Sequence, residues 1–300
     1  KIMAVTISAK QVNELRQRTG VGLMKCKEAL VKTEGDMEAA VTLLREQGLA
    51  AADKKANRIA AEGAIAIYNG EDVTAMVEVN SETDFVAKNE KFTTFANTIA
   101  EVAAKENPAD IDALMACAYP GFDGTIEDKR KEMILVIGEN MNVRRFVRIE
   151  GNCASYIHDH GKIGVVVKFD KEFDSDCGKK VAMQVASMSP RFVDRTQVPA
   201  EEIEHETEIV IAQIKNDPKN ANKPENIIRD KMVPGKLEKF FGEACLVDQE
   251  FFIDDSVTVG KFIASKCDAK VVDFVRYERG EGMQKREDDF AAEVAKMTSK

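Results

Sequence analysis

For metal and acid–base chemistry this chain offers 3 histidines, 6 cysteines and 52 Asp/Glu carboxylates, and so few histidines make much of that chemistry difficult. His158-Asp159-His160 is the obvious metal-like run, since two imidazoles at i and i+2 on a strand point to one side. Zinc needs a third or fourth ligand and an outer shell to orient them, and no clustered Cys or His supplies either. A polar cluster or contact surface at a hairpin tip is the expectation there. The cysteines stand at 26, 117, 153, 177, 245 and 267. They make no C-x-x-C pair, so neither a zinc knuckle nor a disulfide framework follows, and buried reduced thiols are expected. Gly161-Lys162-Ile163-Gly164 and Gly138-Glu139-Asn140 are too poor in glycine to cradle phosphates. The usual nucleotide-loop and nucleophile-elbow patterns do not occur.

One run remains: Thr83-Asp84-Phe85-Val86, where a predicted strand ends and a long helix begins. Thr83 or Asp84 is of a type that caps that helix, and Phe85 would then staple its first turn to the core. In the alternative, Phe85 projects beside an acid and pries into a partner.

Periodicity supplies the elements that must position these residues. Ser8 precedes Gln11 at capping-box spacing, and Val12 and Leu15 recur at helical intervals up to Gly20. Leu23, Cys26 and Leu30 trace one face of a second helix that runs out near Gly35. Asp36 caps a third, with Met37, Ala40, Val41 and Leu44 inward and Gly48 after its last turn. Residues 49–62 read as a charged, Ala-rich helical connector. Beyond Gly63 the period becomes strand-like. Ala64–Tyr68 and Val73–Val79 form a hairpin through Asn69-Gly70. A helix follows with Phe92, Phe95, Ala96, Ile99, Val102 and Ala103 on one face, then a helix over 126–137 and a strand over Arg145–Ile149.

The same order returns. A hairpin, Ala154–His158 and Gly164–Phe169 around Asp159–Lys162, leads to a helix near 175–188. Later a helix near 257–266 precedes the strand Val271–Tyr277. Phe146-Val147-Arg148-Ile149-Glu150 even echoes Phe274-Val275-Arg276-Tyr277-Glu278, which points to an internal duplication. Between the second copy's helices, an acidic arm and a basic arm flank the turn Asp217–Pro224. Ile203, Val210 and Ile214 stripe the first arm, and Ile228 and Met232 the second, as in an antiparallel helical hairpin.

The fold class expected is therefore α+β. Residues 1–57 form a three-helix unit with its connector, and 58–151 and 152–282 form two core subdomains. A hairpin is inserted at about 199–240, and 283–300 form a C-terminal helical module. The composition is 44% hydrophobic and 32% charged, enough to bury a core. No apolar run approaches the roughly 18 residues that would cross a membrane, and no signal-peptide pattern opens the chain, so a cytoplasmic location is expected. A net charge of −9 argues against wrapping nucleic acid. That charge is uneven: residues 1–57 hold ten Lys/Arg against seven Asp/Glu. A separate partner for that segment is the expectation.

Taken together, the motifs resemble the bacterial elongation factor Ts family, in its order and over nearly the whole chain. The N-terminal match runs from Val12 and Leu15-Arg16 through Thr19-Gly20, Gly22, Met24 and Cys26-Lys27 to Ala29-Leu30. Gly35-Asp36, Leu44-Arg45 and Gly48 continue it. Thr83–Lys88, Ile137–Asn140 with Arg144-Arg145, Ser155–His158, Thr258–Gly260 and Phe290–Val294 complete it.

The resemblance implies a guanine-nucleotide exchange factor for elongation factor Tu, with no catalytic residue and no cofactor of its own. It implies a ubiquitin-associated-like fold for the three helices, with Lys27 at a partner contact. Asp84 and Phe85, within Thr83–Val86, would intrude near the partner's Mg²⁺ site. Gly138 and His158 match further interface positions, Phe252 and Ile253 an apolar segment approaching the partner, and Phe290 and Val294 an outlying helix. A homodimer or a 2:2 complex with the partner stays open. The chain departs from the family at Asp159-His160, where glycines are usual, and at Glu250, where proline is usual. Pro234, inside the second arm, should kink or end its helix. Two other function classes stand beside this one. One is an enzyme on the α+β subdomains; the other is an adaptor binding peptides or ubiquitin-like proteins.

Overall fold

In the computed structural model, residues 6–220 and 223–284 are described. Three helices come first: α1 (Ala9–Thr19), α2 (Leu23–Lys32) and α3 (Met37–Lys55). Ser8 and Gln11 cap α1 reciprocally, and Asp36 caps α3 through the Ala39 N–H at 3.0 Å. Gly20 ends α1 in the left-handed region, as its position predicts. Gly48 does not end α3. It is buried in mid-helix, where an added Cβ would stand 3.3 Å from the Lys131 carbonyl oxygen, so it lets two helices approach closely. Leu23 also departs from expectation: it is exposed, and Cys26, Ala29 and Leu30 make the buried face.

The hairpin β1 (Glu62–Asn69) and β2 (Val73–Ser81) pairs antiparallel, with Asn69 opposite Thr74. Asn69 therefore closes the strand, and the turn falls on Glu71 and Asp72. A single turn, α4 (Asp84–Ala87), precedes the long α5 (Glu90–Glu106). Asn89 caps α5, and Phe92, Phe95, Ala96, Ile99, Val102 and Ala103 are buried on its inner face. Each Phe buried this way contributes about 1.5–3 kcal/mol of transfer free energy. Then come α6 (Ile111–Ala116), α7 (Ile126–Ile137) and β3 (Met141–Glu150), and β3 completes a sheet of order β1-β2-β3.

The second sheet is assembled the same way. β4 (Cys153–His158) and β5 (Ile163–Phe169) form a hairpin, α8 (Ser175–Met188) follows, and a strand far along the chain, Val271–Glu278, pairs with β5. Between them run α9 (Ala200–Asn216), α10 (Glu225–Ile227), a π turn over Ile228–Met232 and α11 (Val233–Ala244). Pro234 lies in the first turn of α11. It has no N–H to give, so the second arm breaks just before it, as expected of a mid-arm proline. Val210, Ile211, Ile214, Ile228 and Val233 make the arms' own small core. Ile203, read as part of that stripe, packs instead at the arms' base with Phe240 and Phe241. The small hairpin β6 (Glu250–Phe251) and β7 (Asp254–Thr258), then α12 (Val259–Lys266) and β8 (Val271–Glu278), complete the described chain.

Helices cover one face of each sheet, and the other faces meet. Ile65, Met76 and Val166 are buried between them, with Val147, Ile149, Val275 and Tyr277 around. Gly164 permits this contact: a Cβ there would lie 2.4 Å from Ile65 and 2.9 Å from the Met76 sulfur. Of the six thiols, Cys26, Cys177 and Cys245 are buried, whereas Cys117, Cys153 and Cys267 are only partly so. Burial pushes Cys177 up to about 12 and Cys245 up to about 11.

Candidate functional site

Thr83 stands at the N-terminus of α4 in extended conformation, yet its side chain does not cap that helix. Its hydroxyl donates to Glu139 Oε1 at 2.7 Å and its N–H to Glu139 Oε2 at 3.0 Å. The Ser81 hydroxyl donates to the Thr83 carbonyl at 2.9 Å. Glu82 reaches the other way, accepting the Asn140 N–H at 2.6 Å, while the Asn140 amide donates to the Arg58 carbonyl at 2.9 Å. Two short segments are thus stitched together by their carboxylates. Gly138 makes the geometry possible: it ends α7 at φ 92°, a left-handed turn that aims Glu139 back toward Thr83.

Phe85 projects from this braced loop. It is 81% exposed, the most exposed large apolar side chain among the described residues, whereas neighbouring Val86 and Ala87 are buried. The stapling alternative is therefore corrected: Phe85 does not reach the core, and Asn89 caps the long helix. Asp84 pairs with Lys88 at 3.0 Å, and this ammonium holds its carboxyl below the usual carboxylate range.

His158 ends β4, exposed, with Tyr156 Oη 3.0 Å from its Nδ1. The pairing of His158 and His160 on one strand face fails, because Asp159 and His160 turn through the left-handed region at φ 45° and 52°. Among the described residues no group of three or more His, Cys, Asp or Glu could hold a metal ion. Ile157 and His160 of this tip border a groove of about 470 Å³ with Ala87 and Lys88, so tip and finger share one surface.

Lys27 lies elsewhere, on the exposed face of α2 with Leu23, Met24 and Val31. Phe252 and Ile253, 41% and 54% exposed, form the turn between β6 and β7. Buried Gln184 supports them, donating to Gln249 Oε1 at 3.0 Å and to the Glu250 carbonyl at 3.1 Å, and accepting the Phe252 N–H at 2.9 Å. Sequence reasoning missed Gln184 and Gln249. Gln184 sits at helical spacing from Cys177 and Val181 on the apolar face of α8, where a glutamine reads only as a break in the stripe, and Gln249 lies in extended chain outside any helix. Phe290 and Val294 lie outside the described residues.

A second set of charges was also missed. Register between β2 and β3 shifts after Glu78, so Arg144 and Arg145 both face it. Arg144 Nη1 lies 3.1 Å and Arg145 Nε 2.6 Å from its carboxylate, which also accepts the Gly280 N–H at 2.8 Å. Burial opposes ionisation of Glu78, but the Gly280, Asn80 and Arg145 hydrogen bonds outweigh it and hold the carboxyl below its usual range.

A braced loop thus presents one aromatic beside an acid, and Phe252 and Ile253 are exposed at a second turn. The family profile described as Elongation factor TS matches residues 82–281. The chain belongs to the elongation factor Ts family. The elongation factor Ts of Alkalilimnicola ehrlichii is 48% identical, covering 97% of this chain and 98% of that protein. That of Clostridium perfringens is 46% identical over 98% of this chain and all of its own length. That of Magnetococcus marinus is 45% identical over 98% and 99%. Membership of the elongation factor Ts family places the chain among the factors of translation elongation.

Proposed function

We propose that this chain is a guanine-nucleotide exchange factor that binds GDP-loaded elongation factor Tu and promotes GDP release by disturbing its Mg²⁺ site. The observation that carries this reading is Phe85, solvent-exposed on a clamped loop beside ionised Asp84. In a P-loop GTPase, Mg²⁺ neutralises phosphate charge and ties the nucleotide to protein ligands. An aromatic wedged between partner helices shifts the element that holds the metal, and Asp84 competes for groups that organise it. Without the metal the phosphate charge is less compensated, and GDP leaves faster. The coupling is reciprocal: the factor by which this chain lowers GDP affinity is the factor by which GDP lowers affinity for the chain.

The remaining surfaces grip. Lys27 with the exposed apolar residues of α2, Gly138, the His158 tip and the Phe252–Ile253 turn would engage separate partner areas and hold the wedge in place. In this reading the two sheets are duplicated subdomains, the N-terminal helices a ubiquitin-associated-like domain and the α9–α11 arms the family's coiled-coil motif. The test is release of fluorescent GDP from elongation factor Tu with and without the chain. Acceleration that saturates with added chain is expected; an unchanged rate would remove the exchange function.

A further inference from the structure

Resting on the exchange reading, we propose that Glu139 and Glu82 form a reciprocal carboxylate clamp that sets the position of Phe85, with Glu139 as a positioning residue for nucleotide release. Phe85 leans on almost nothing of its own body, so its position is dictated by the backbone that carries it. That backbone is a single helical turn, α4, too short to hold itself. Buried Val86 and Ala87 seat its inner side, and its leading end is fixed by the residues before it.

There the bonds are specific and run both ways. Glu139 takes both donors of Thr83, and Glu82 takes the backbone N–H of Asn140, so each segment lends its partner a carboxylate acceptor. Bonds to ionised acceptors are roughly twice as strong as neutral ones, and two to one residue fix an angle as well as a distance. The clamp is anchored behind. Glu139 follows α7, whose Leu135 is buried in the core of the N-terminal three helices. The finger is therefore braced against α7 and, through it, against the N-terminal helices, and it is preorganised before any partner arrives.

The experiment compares Glu139→Ala, Phe85→Ala and the double variant in the full chain, reading fluorescent-GDP release from elongation factor Tu over a range of chain concentrations. Glu139→Ala should lower the saturating release rate on the order of tenfold, as small misplacements of a working group do. The half-saturating concentration should move less than about twofold, because the gripping surfaces are untouched. In the Phe85→Ala background, Glu139→Ala should cost nothing more. Thr83→Val, which removes one donor and keeps the shape, should fall between wild type and Glu139→Ala. It carries the test if Glu139→Ala fails to fold. Wild-type release by both Glu139→Ala and Thr83→Val overturns the clamp, and so does an equal further loss in the Phe85→Ala background. Full release by Phe85→Ala would instead strike the wedge reading itself, and the clamp with it.

Discussion

Two apolar tips leave the body of this protein, one from each half, and different chemistry supports them. Phe85 hangs from a loop held by carboxylates that are themselves only partly buried. Phe252 and Ile253 sit above fully buried amides, Gln184 and Gln249, and beside Phe251, which stacks on Phe262 in the core at 4.1 Å. The difference follows from solvent. At a half-exposed loop a carboxylate keeps part of its hydration and its bonds gain from charge. Under a closed core an unpaired charge would cost several kcal/mol, and a neutral amide that satisfies three bonds is cheaper to bury. Each tip has a core neighbour, Val86 beside the first and Phe251 beside the second, so what differs is the bracing next to it: carboxylates at the first, amides at the second. In the proposed exchange reading the first tip is the wedge and the second a grip.

The largest effect should separate those roles. Phe85→Ala is expected to lower the saturating rate of GDP release by about thirtyfold, the scale of an aromatic hot spot, with folding intact by circular dichroism. Replacing Phe252 and Ile253 together by alanine should instead raise the half-saturating concentration and leave the saturating rate near wild type. If the two sets of variants exchanged these signatures, wedge and grip would have to be exchanged too.

Next in size is the support beneath the second tip. Gln184→Ala strands the Gln249 amide and the Phe252 N–H, and each buried group left unpaired costs about 1–3 kcal/mol. A fall of several degrees in the thermal midpoint is expected, read by calorimetry. An unchanged midpoint would mean that water reaches these groups and that the contrast in solvation is false.

Acid should act on the opposite half. Because the folded state holds Glu78 below its usual range, its stabilising contribution is complete above the unfolded value of about 4.3 and disappears as pH falls through the lower folded value. Glu78→Gln removes the buried carboxylate shared by Arg144 and Arg145 and leaves Arg145 the exposed Glu281 at 3.3 Å. It should be less stable than wild type at neutral pH. The gap should narrow as the solution is acidified. Thermal midpoints measured from neutral pH down to about 3 check this, and a gap constant with pH would place the stabilisation in packing.

How much of this could be read beforehand depended on whether local pattern or distant packing decided the outcome. The caps at Ser8 and Asp36, the inner face of α5 and the hairpin order of both sheets follow from spacing within one element. Gly48 was misread because α7, some 80 residues away, decides what α3 packs on, while propensity only suggests where a helix ends. The Thr83–Val86 run was legible as a strand-to-helix junction, but whether Phe85 stapled or projected could not be settled locally. The answer lay with Glu139, 56 residues on, which engages the Thr83 hydroxyl that makes no cap to the helix. The Glu78 cluster was hidden for a similar reason: only the irregular register of β3 turns two successive arginines toward one carboxylate.

The smallest effect tests whether the finger needs its own surface charges. Asp84 and Lys88 pair at i and i+4 in open solvent. Such pairs are screened by salt, and ordering two side chains offsets most of the attraction, so the fold should gain nothing measurable from this one. Lys88→Ala is therefore expected to leave the thermal midpoint where it is and to alter GDP release by less than about twofold. The substitution frees Asp84 to meet the partner without first giving up a lysine. A clear drop in midpoint would show that the one-turn helix depends on its outer ion pair, and the claim that the finger is held from behind, by Glu139 and Glu82, would lose its ground.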